Sequence, residues 1–401
     1  PEALALTLGA EEIFAYLCHV GAPGREVQML CRSCGYYVDQ EFIFQARDFN
    51  MRAFNLTASA SFDDEAGYEE TGLLIASRMV DRFQFFQEET GLRLILTKEK
   101  SYPSLSDLPI PDSKPLPEFS VRPPDSEELK SFVLLVNSHY PAHTIPASLT
   151  VPGKVVDMAI CGDLHAAVAM DKVGHIGGGI AWRREGTQLV EFYGPYVFNQ
   201  HAESDMAQVL TDHCIGAIAR TSACGLINRY STPDLPVAYF EPLGSLTLRQ
   251  RNSTALETIA YYRHLEEDLG LSVWTHSSLD AFLKEQYQRL VFARDIKPVT
   301  EAGESSSPFS VISAEFDRLA GRVTLHPIWW GRNVEETVAA YVRTLLKEEL
   351  PNIFFQMDLG RPWHCYFTPA LLKCGFGPRL LLPYAGKGDL VVFQHNARGR
   401  S

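Results

Sequence analysis

Arg322-Val-Thr-Leu-His-Pro-Ile-Trp-Trp330 runs through Gly331-Arg332-Asn333 into Val334-Glu-Glu-Thr-Val-Ala-Ala-Tyr-Val-Arg-Thr-Leu-Leu346, and this succession decides the fold. The first run is rich in β-branched and aromatic residues and reads as a strand. The second places apolar residues at 334, 338, 341, 342, 345 and 346, one stripe of an amphipathic helix. Another strand follows at 352–357, and then Leu371-Leu-Lys-Cys-Gly-Phe376. A strand that opens through glycine into a helix presents free backbone N–H groups and the positive end of a dipole, which together make a seat for an anion.

Outward from that stretch, 401 residues are too many for one hydrophobic core, so two or three domains are expected. With 46% hydrophobic and 21% charged residues the composition is that of a soluble globular chain. A formal net charge of -13 argues against nucleic acid or an anionic membrane as a general partner. No apolar run stands out as a membrane span and no signal-peptide pattern opens the chain, which points to the cytoplasm. The first residue is Pro1 rather than Met, implying residues upstream. Eight cysteines without regular spacing suggest reduced thiols. Cys18, His19, Cys31 and Cys34 include one CxxC, open to reading as zinc site, redox pair or small apolar fillers in a hairpin. No second CxxC or CxxH follows, so fillers are favoured and no metal is expected.

The chain divides at 1–101, 102–125, 126–250 and 251–401. In the first segment a helix over 5–19 leads to alternating runs at 27–32 and 36–44, a polar loop at 59–71, a helix over 73–80 and a closing hairpin. This order resembles the ATP-binding domain of the anti-sigma-factor kinases, of the GHKL fold. Glu12 matches the family's helix glutamate, and Glu70-Thr-Gly72-Leu-Leu-Ile-Ala-Ser-Arg-Met-Val-Asp81 matches its glycine loop and helix. Tyr16 stands where the family has its metal-binding Asn, and 45–49 holds no Asp-x-Gly. The resemblance therefore implies a degenerate domain without ATP, available to a regulatory protein partner. Seven prolines between 103 and 124 make the second segment an extended tether.

The remainder reads as a repeat. Strand 190–197, helix 205–220, strand 225–230 and 239–246 recur as 323–330, 334–347, 352–357 and 366–372, with Phe240-Glu-Pro-Leu and Phe367-Thr-Pro-Ala at matching places. Linker helices are expected around 253–269. Gly177-Gly-Gly179 marks a bulge or a close backbone approach. The order of strand, anion loop, helix and strand is similar to GNAT-type acyltransferases, over about 125–394. The fold class is then α/β (α+β): a GHKL-like sandwich followed by two GNAT-like mixed α/β domains.

The GNAT resemblance implies acyl transfer from acetyl-CoA to an amine of a small molecule or protein, by proximity, with a base and an acid nearby. By its layout, Gly331, Arg332, Asn333 and Val334 would hold the cofactor. Glu191 and His326 occupy the base position of the two copies, and Tyr366 lies nearest the place of the acid. In the first copy the corresponding loop, Asn199-Gln200-His-Ala-Glu203-Ser-Asp205, lacks glycine and is acidic. The opposing expectation is a non-catalytic regulatory or scaffold protein that keeps the folds without their ligands.

Overall fold

The computed structural model describes residues 2–20, 26–45, 49–58, 65–88, 91–103, 108–201, 203–249, 255–300, 307–318 and 320–396. The first unit comprises α1 (Glu2–Val20), β1 (Gln28–Cys34), β2 (Tyr37–Phe44), α2 (Glu65–Met79), β3 (Arg82–Glu88) and β4 (Gly91–Glu99). Its sheet is antiparallel in the order β1-β2-β4-β3. Leu6, Ile13, Leu17, Leu73 and Ala76 recur at helical spacing and bury against Phe42, Phe44, Leu94 and Leu96, giving a two-layer α/β sandwich. By length and mean hydropathy (1.3), α1 is one helix that meets the requirements for a membrane span, which the sequence reading overlooked.

The expected phosphate loop of this unit does not open a helix. Gly72 lies well inside α2, and a Cβ there would meet Glu12 Oε2 at 2.4 Å, so the two matched residues serve a tight helix crossing. Tyr16 is buried edge-on to Phe49, and its hydroxyl accepts a hydrogen bond from the Asn50 N–H at 3.2 Å. Residues 46–48, where an Asp-x-Gly was sought, lie outside the described residues. Cys34 is joined to Cys161 by a disulfide, correcting the expectation of eight free thiols. The bond is flanked by Tyr36–Asp163 and Lys154–Glu99 contacts that tie this unit to the next.

The first repeat comprises β5 (Ser120–Arg122), α3 (Ser126–His139), α4 (Pro152–Ile160), β6 (His165–Met170), β7 (Ile176–Glu185), β8 (Leu189–Val197), α5 (Met206–Ile218), β9 (Gly225–Asn228), β10 (Glu241–Arg249) and β11 (Ala255–His264). They form a seven-stranded sheet in the order β10-β11-β9-β8-β7-β6-β5. Two sequence readings change here. The tether ends before β5, which pairs with β6. Residues 255–264 are a strand rather than a linker helix, and β11 belongs to the first sheet, so that repeat runs past 250. Ala260 and Tyr262 are buried at period two, the alternation a half-buried strand requires.

The second repeat starts with the parallel pair β12 (Leu271–Thr275) and β13 (Arg294–Pro298), joined through α6 (Asp280–Leu290). It continues as β14 (Val311–Asp317), β15 (Arg322–Trp329), α7 (Val334–Lys347), β16 (Asn352–Asp358), α8 (Thr368–Lys373), β17 (Phe376–Leu382) and β18 (Leu390–His395). The order β14-β15-β16-β18-β17 repeats β7-β8-β9-β11-β10. The fragments that suggested the repeat are not equivalent, however. Pro242 lies in β10, whereas Pro369 opens α8.

Both repeats share one irregularity. The parallel pairing of β8 with β9 is confined to 189–191 against 225–227, although β8 continues to Val197. That of β15 with β16 is confined to 322–325 against 352–355, although β15 continues to Trp329. Pro195 and Pro327 sit on the diverging segments and have no N–H to donate to a ladder. A bulge faces each segment, between Gly179 and Ala181 and between Val311 and Ile312. The glycines at 177–179 are needed for close approach: a Cβ on Gly179 would lie 2.5 Å from Phe132 and one on Gly178 2.7 Å from Tyr196 O.

Candidate functional site

Alternation along β8 sends Val190 and Phe192 toward Met206 and Leu210 of α5, leaving Glu191 and Tyr193 on the opposite face. Glu191 is 1% exposed. Arg229, just beyond β9, donates to it twice, Nε to Oε1 at 2.5 Å and Nη2 to Oε2 at 2.9 Å. The Tyr193 hydroxyl donates to Oε2 at 2.8 Å, and Arg183 Nη2 lies 3.8 Å away. Burial alone would push this carboxyl up, but Arg229, Arg183 and Tyr193 outweigh it and hold it below the ordinary value. A carboxylate with its lone pairs taken and its proton affinity lowered is a poor general base. Glu191 is an ion-pair partner in this geometry.

On β15, Val323 and Leu325 face Val338, Tyr341 and Leu345 of α7, so Arg322, Thr324 and His326 face away. Arg322 covers the Tyr230 ring at 4.6 Å, donates to its hydroxyl and pairs with Asp317 at 2.9 Å. His326 Nε2 stands 3.7 Å from Glu315 Oε2, with its side chain about a third exposed.

These two faces look at each other across a cavity of about 260 Å³. The first unit adds Tyr36, Arg82 and Glu99 to its wall, and the α3–α4 region adds His143 and Lys154. Its basic side chains are Arg82, Lys154, Arg183, Arg229 and Arg322. Its carboxylates are Glu99, Glu185, Glu191, Glu315 and Asp317. The lining is thus neutral overall, and it comes from all three units.

The expected cofactor loop is elsewhere and is engaged by the chain itself. The Gly331 N–H donates to Ser310 Oγ at 2.9 Å, the Arg332 N–H to Ser307 O at 2.9 Å, and the Val334 N–H to Gly331 O at 3.2 Å. Asn333 Oδ1 accepts from Ser310 N at 2.7 Å. A Cβ on Gly331 would lie 2.2 Å from Phe309 O, so glycine is required by the crossing of residues 307–310. In the first repeat the tether plays the same part. Asn199 Nδ2 donates to Ser113 Oγ at 2.7 Å, and Gln200 accepts from Leu116 N at 2.8 Å and donates to Lys114 O at 3.1 Å.

Tyr366 is not in the cavity. Its hydroxyl donates to Thr300 O at 2.8 Å and its ring packs 4.9 Å from Trp330. Of the sequence candidates, the fold therefore brings Glu191 and His326 together and leaves Tyr366 and the Gly331–Val334 loop apart. Arg229, Arg322, Tyr193 and Asp317 were missed. The one hint was position: Arg229 and Tyr230 lie one and two residues beyond the carboxyl end of β9, where such sheets hold ligands. Among the described residues, no group of three or more His, Cys, Asp or Glu is placed to hold a metal.

No family model matches the chain, and no curated protein does either. Solved structures of GNAT acetyltransferases do match part of it. A phosphinothricin acetyltransferase from Sinorhizobium meliloti in complex with AcCoA is 18% identical, covers 37% of this chain and 89% of its own, and has a TM-score of 0.32. A GNAT family N-acetyltransferase from Escherichia coli in complex with CoA is 17% identical, covers 39% and 87%, and has a TM-score of 0.29. A GNAT family acetyltransferase from Staphylococcus aureus Mu50 is 15% identical, covers 37% and 100%, and has a TM-score of 0.27. These are likenesses of fold over part of the chain.

Proposed function

We propose that this protein is a tandem of GNAT-type domains that binds a small molecule in the cavity between the repeats and seats acyl-CoA in neither loop, making it a ligand-binding regulatory protein. The observation that carries this reading is the engagement of the Gly331 and Arg332 N–H groups by Ser310 and Ser307. A pyrophosphate would have to displace those bonds, and Glu335 and Glu336 in the first turn of α7 add no attraction for it. The first unit, which contributes Arg82 and Glu99 to the cavity wall, is where a regulatory partner would sense occupancy. We assign no nucleotide to it.

A second reading, N-acyl transfer from acetyl-CoA, is favoured by one feature: each strand splay opens beside a residue of the shared cavity, Glu191 or His326. There the 331–334 loop would exchange residues 307–310 for the cofactor. An amine in the cavity would attack the thioester carbonyl, His326 would take its proton, and the thiolate would leave and be protonated as CoA. Tyr366 would need to be replaced by another acid, since its hydroxyl is spent on Thr300.

Calorimetric titration of acetyl-CoA and CoA into the full chain separates the two. No heat and no thermal shift at millimolar cofactor is the expected result. Micromolar binding that is abolished by the Arg332→Ala, Asn333→Asp double substitution would overturn the binding-protein reading in favour of the transferase.

A further inference from the structure

The first unit meets the two repeats in different ways, and one of the two contacts can be undone by chemistry. Against the second repeat it is held by burial. Asn55, 5% exposed, donates Nδ2 to Ser310 O at 2.8 Å and accepts from the Ile312 N–H at 3.0 Å. The Leu56 N–H donates to the Tyr341 hydroxyl at 2.8 Å. Val311 of β14 belongs to the same apolar cluster as Phe54 and Phe85, and Ile328 and Trp329 pack onto that cluster. Parting this contact would strand buried polar groups and expose apolar surface, both of which are costly.

Against the first repeat the contact is polar and partly exposed. The Tyr36 hydroxyl donates to Asp163 Oδ2 at 3.0 Å. Lys154 of α4 pairs with Glu99 at 2.5 Å, and Lys100 pairs with Asp157 of α4 at 2.7 Å. Ion pairs that water reaches contribute little each, so on their own they hold the seam weakly. What fixes it is the covalent bond from Cys34, at the end of β1, to Cys161, just past α4. Both cysteines are half-buried and stand beside exposed neighbours, Ser33, Gly35 and Gly162, so a small reductant reaches them. The CxxC spacing takes no part. Side chains alternate along β1, so Cys31 and Cys34 point to opposite faces.

This seam is also a wall of the cavity. Tyr36 and Glu99 on one side of it, and Lys154 and Met158 on the other, line the space between the repeats. We propose that the Cys34–Cys161 bond is a redox-controlled clamp on that cavity. A dithiol reductant cuts it, and the first unit, still seated on the second repeat, parts from α4 and opens the wall. In the reaction a thiolate of the reductant attacks one sulfur of the bond, and the other sulfur leaves as a thiolate and takes up a proton. The reductant's second thiol then attacks its own mixed-disulfide sulfur and releases the remaining cysteine. Two electrons pass to the protein, two protein thiols form, and the reductant ends as a cyclic disulfide. The clamp goes beyond the ligand-binding reading: it requires the cavity and not the identity of what fills it.

The test uses the full chain oxidised with glutathione disulfide, before and after treatment with dithiothreitol. Mass spectrometry should find a peptide linked through Cys34 and Cys161 in the oxidised form alone. Amine acylation should label Lys154 at least fivefold faster after reduction. Lys98 is paired with Asp81 inside the first unit and is 21% exposed against 20% for Lys154, so its rate should stay the same. Hydrogen exchange at the Leu56 and Ile312 amides, which bridge the other seam, should not change. Cys34→Ser should match the reduced form with no reductant present, and Cys31→Ser should match the parent. The parent chain in its two redox states carries the test even if Cys34→Ser fails to fold. Absence of the 34–161 link overturns the proposal, and so does a Lys154 rate that reduction leaves unchanged. Faster exchange at Leu56 and Ile312 overturns it too, because the bond would then steady the whole unit rather than one seam. None of these outcomes depends on acetyl-CoA, so a failed clamp and a failed reading of the 331–334 loop are told apart.

Discussion

The two repeats share a strand order, a splay and a bulge, yet they treat the charge at the splay in opposite ways. In the first, Glu191 is 1% exposed and closed off by a bidentate arginine and a tyrosine. In the second, His326 is about a third exposed and meets Glu315 only at 3.7 Å. One copy turned its central group into an internal ion pair, and the other left it facing the cavity. The same backbone device can therefore be spent on stability or on a site, and which it becomes depends on whether the opposing strand carries a partner such as Arg229. The loops diverge in the same way. The first copy holds its own tether with the side chains of Asn199 and Gln200, whereas the second holds residues 307–310 mainly with backbone N–H groups.

The comparison breaks most sharply at the ion pair. Removing one partner of a buried pair strands the other, so Arg229→Ala should cost about 3–5 kcal/mol, while His326→Ala should cost about 1 kcal/mol or less. Urea unfolding of both variants measures this. Equal losses would mean that the copies are alike after all.

A smaller contrast separates two glycines. Gly331→Ala pushes a Cβ into the Phe309 backbone at 2.2 Å and should destabilise by about 1–3 kcal/mol through overpacking. Gly216, inside α5, has nothing within 4 Å of its built Cβ, so Gly216→Ala should stabilise by about 0.5–1 kcal/mol. Thermal unfolding midpoints that move in opposite directions confirm that the second loop, rather than glycine content, sets the constraint.

The smallest effect is in the acid limb. The Glu191 carboxyl lies below its ordinary value of 4.5 in the fold. Its contribution to stability is therefore complete above that value and is lost as pH falls through the lowered one. Unfolding midpoints between pH 7 and pH 3 should hold steady and then drop below about 4.5. Glu191→Gln should remove much of that drop and Glu315→Gln little, since water already screens the latter. A drop unchanged in both variants would place the acid sensitivity elsewhere.

Much of the second repeat was legible. The helix expected over 334–347 is α7 with the same bounds, and the strands expected at 322–330 and 352–357 are β15 and β16 to within a residue. Strong periodicity and a glycine stop carry that information locally. Readings failed where local pattern was weak or where a partner lay far off. Residues 255–264 mix Ala, Leu and Glu with Thr and Tyr and read as helix, whereas pairing with β10 and β9 makes them a strand. The 331–334 loop joins β15 to α7 as read, and residues 307–310, from a part of the sequence with no strong pattern, cross it.

Sequence by itself determined the strongly periodic elements and the repeat, while positions 191 and 326 were singled out by the resemblance to GNAT-type enzymes. The elements and the repeat follow from side-chain period, a property of a few neighbouring residues. The tertiary structure alone decided that Glu191 meets Arg229, 38 residues away, that Cys34 meets Cys161, and that both sheets face one neutral cavity. Proton affinity and binding depend on which charges stand within a few ångströms through a low-dielectric gap, and that distance is set by the packing of three units rather than by separation along the chain.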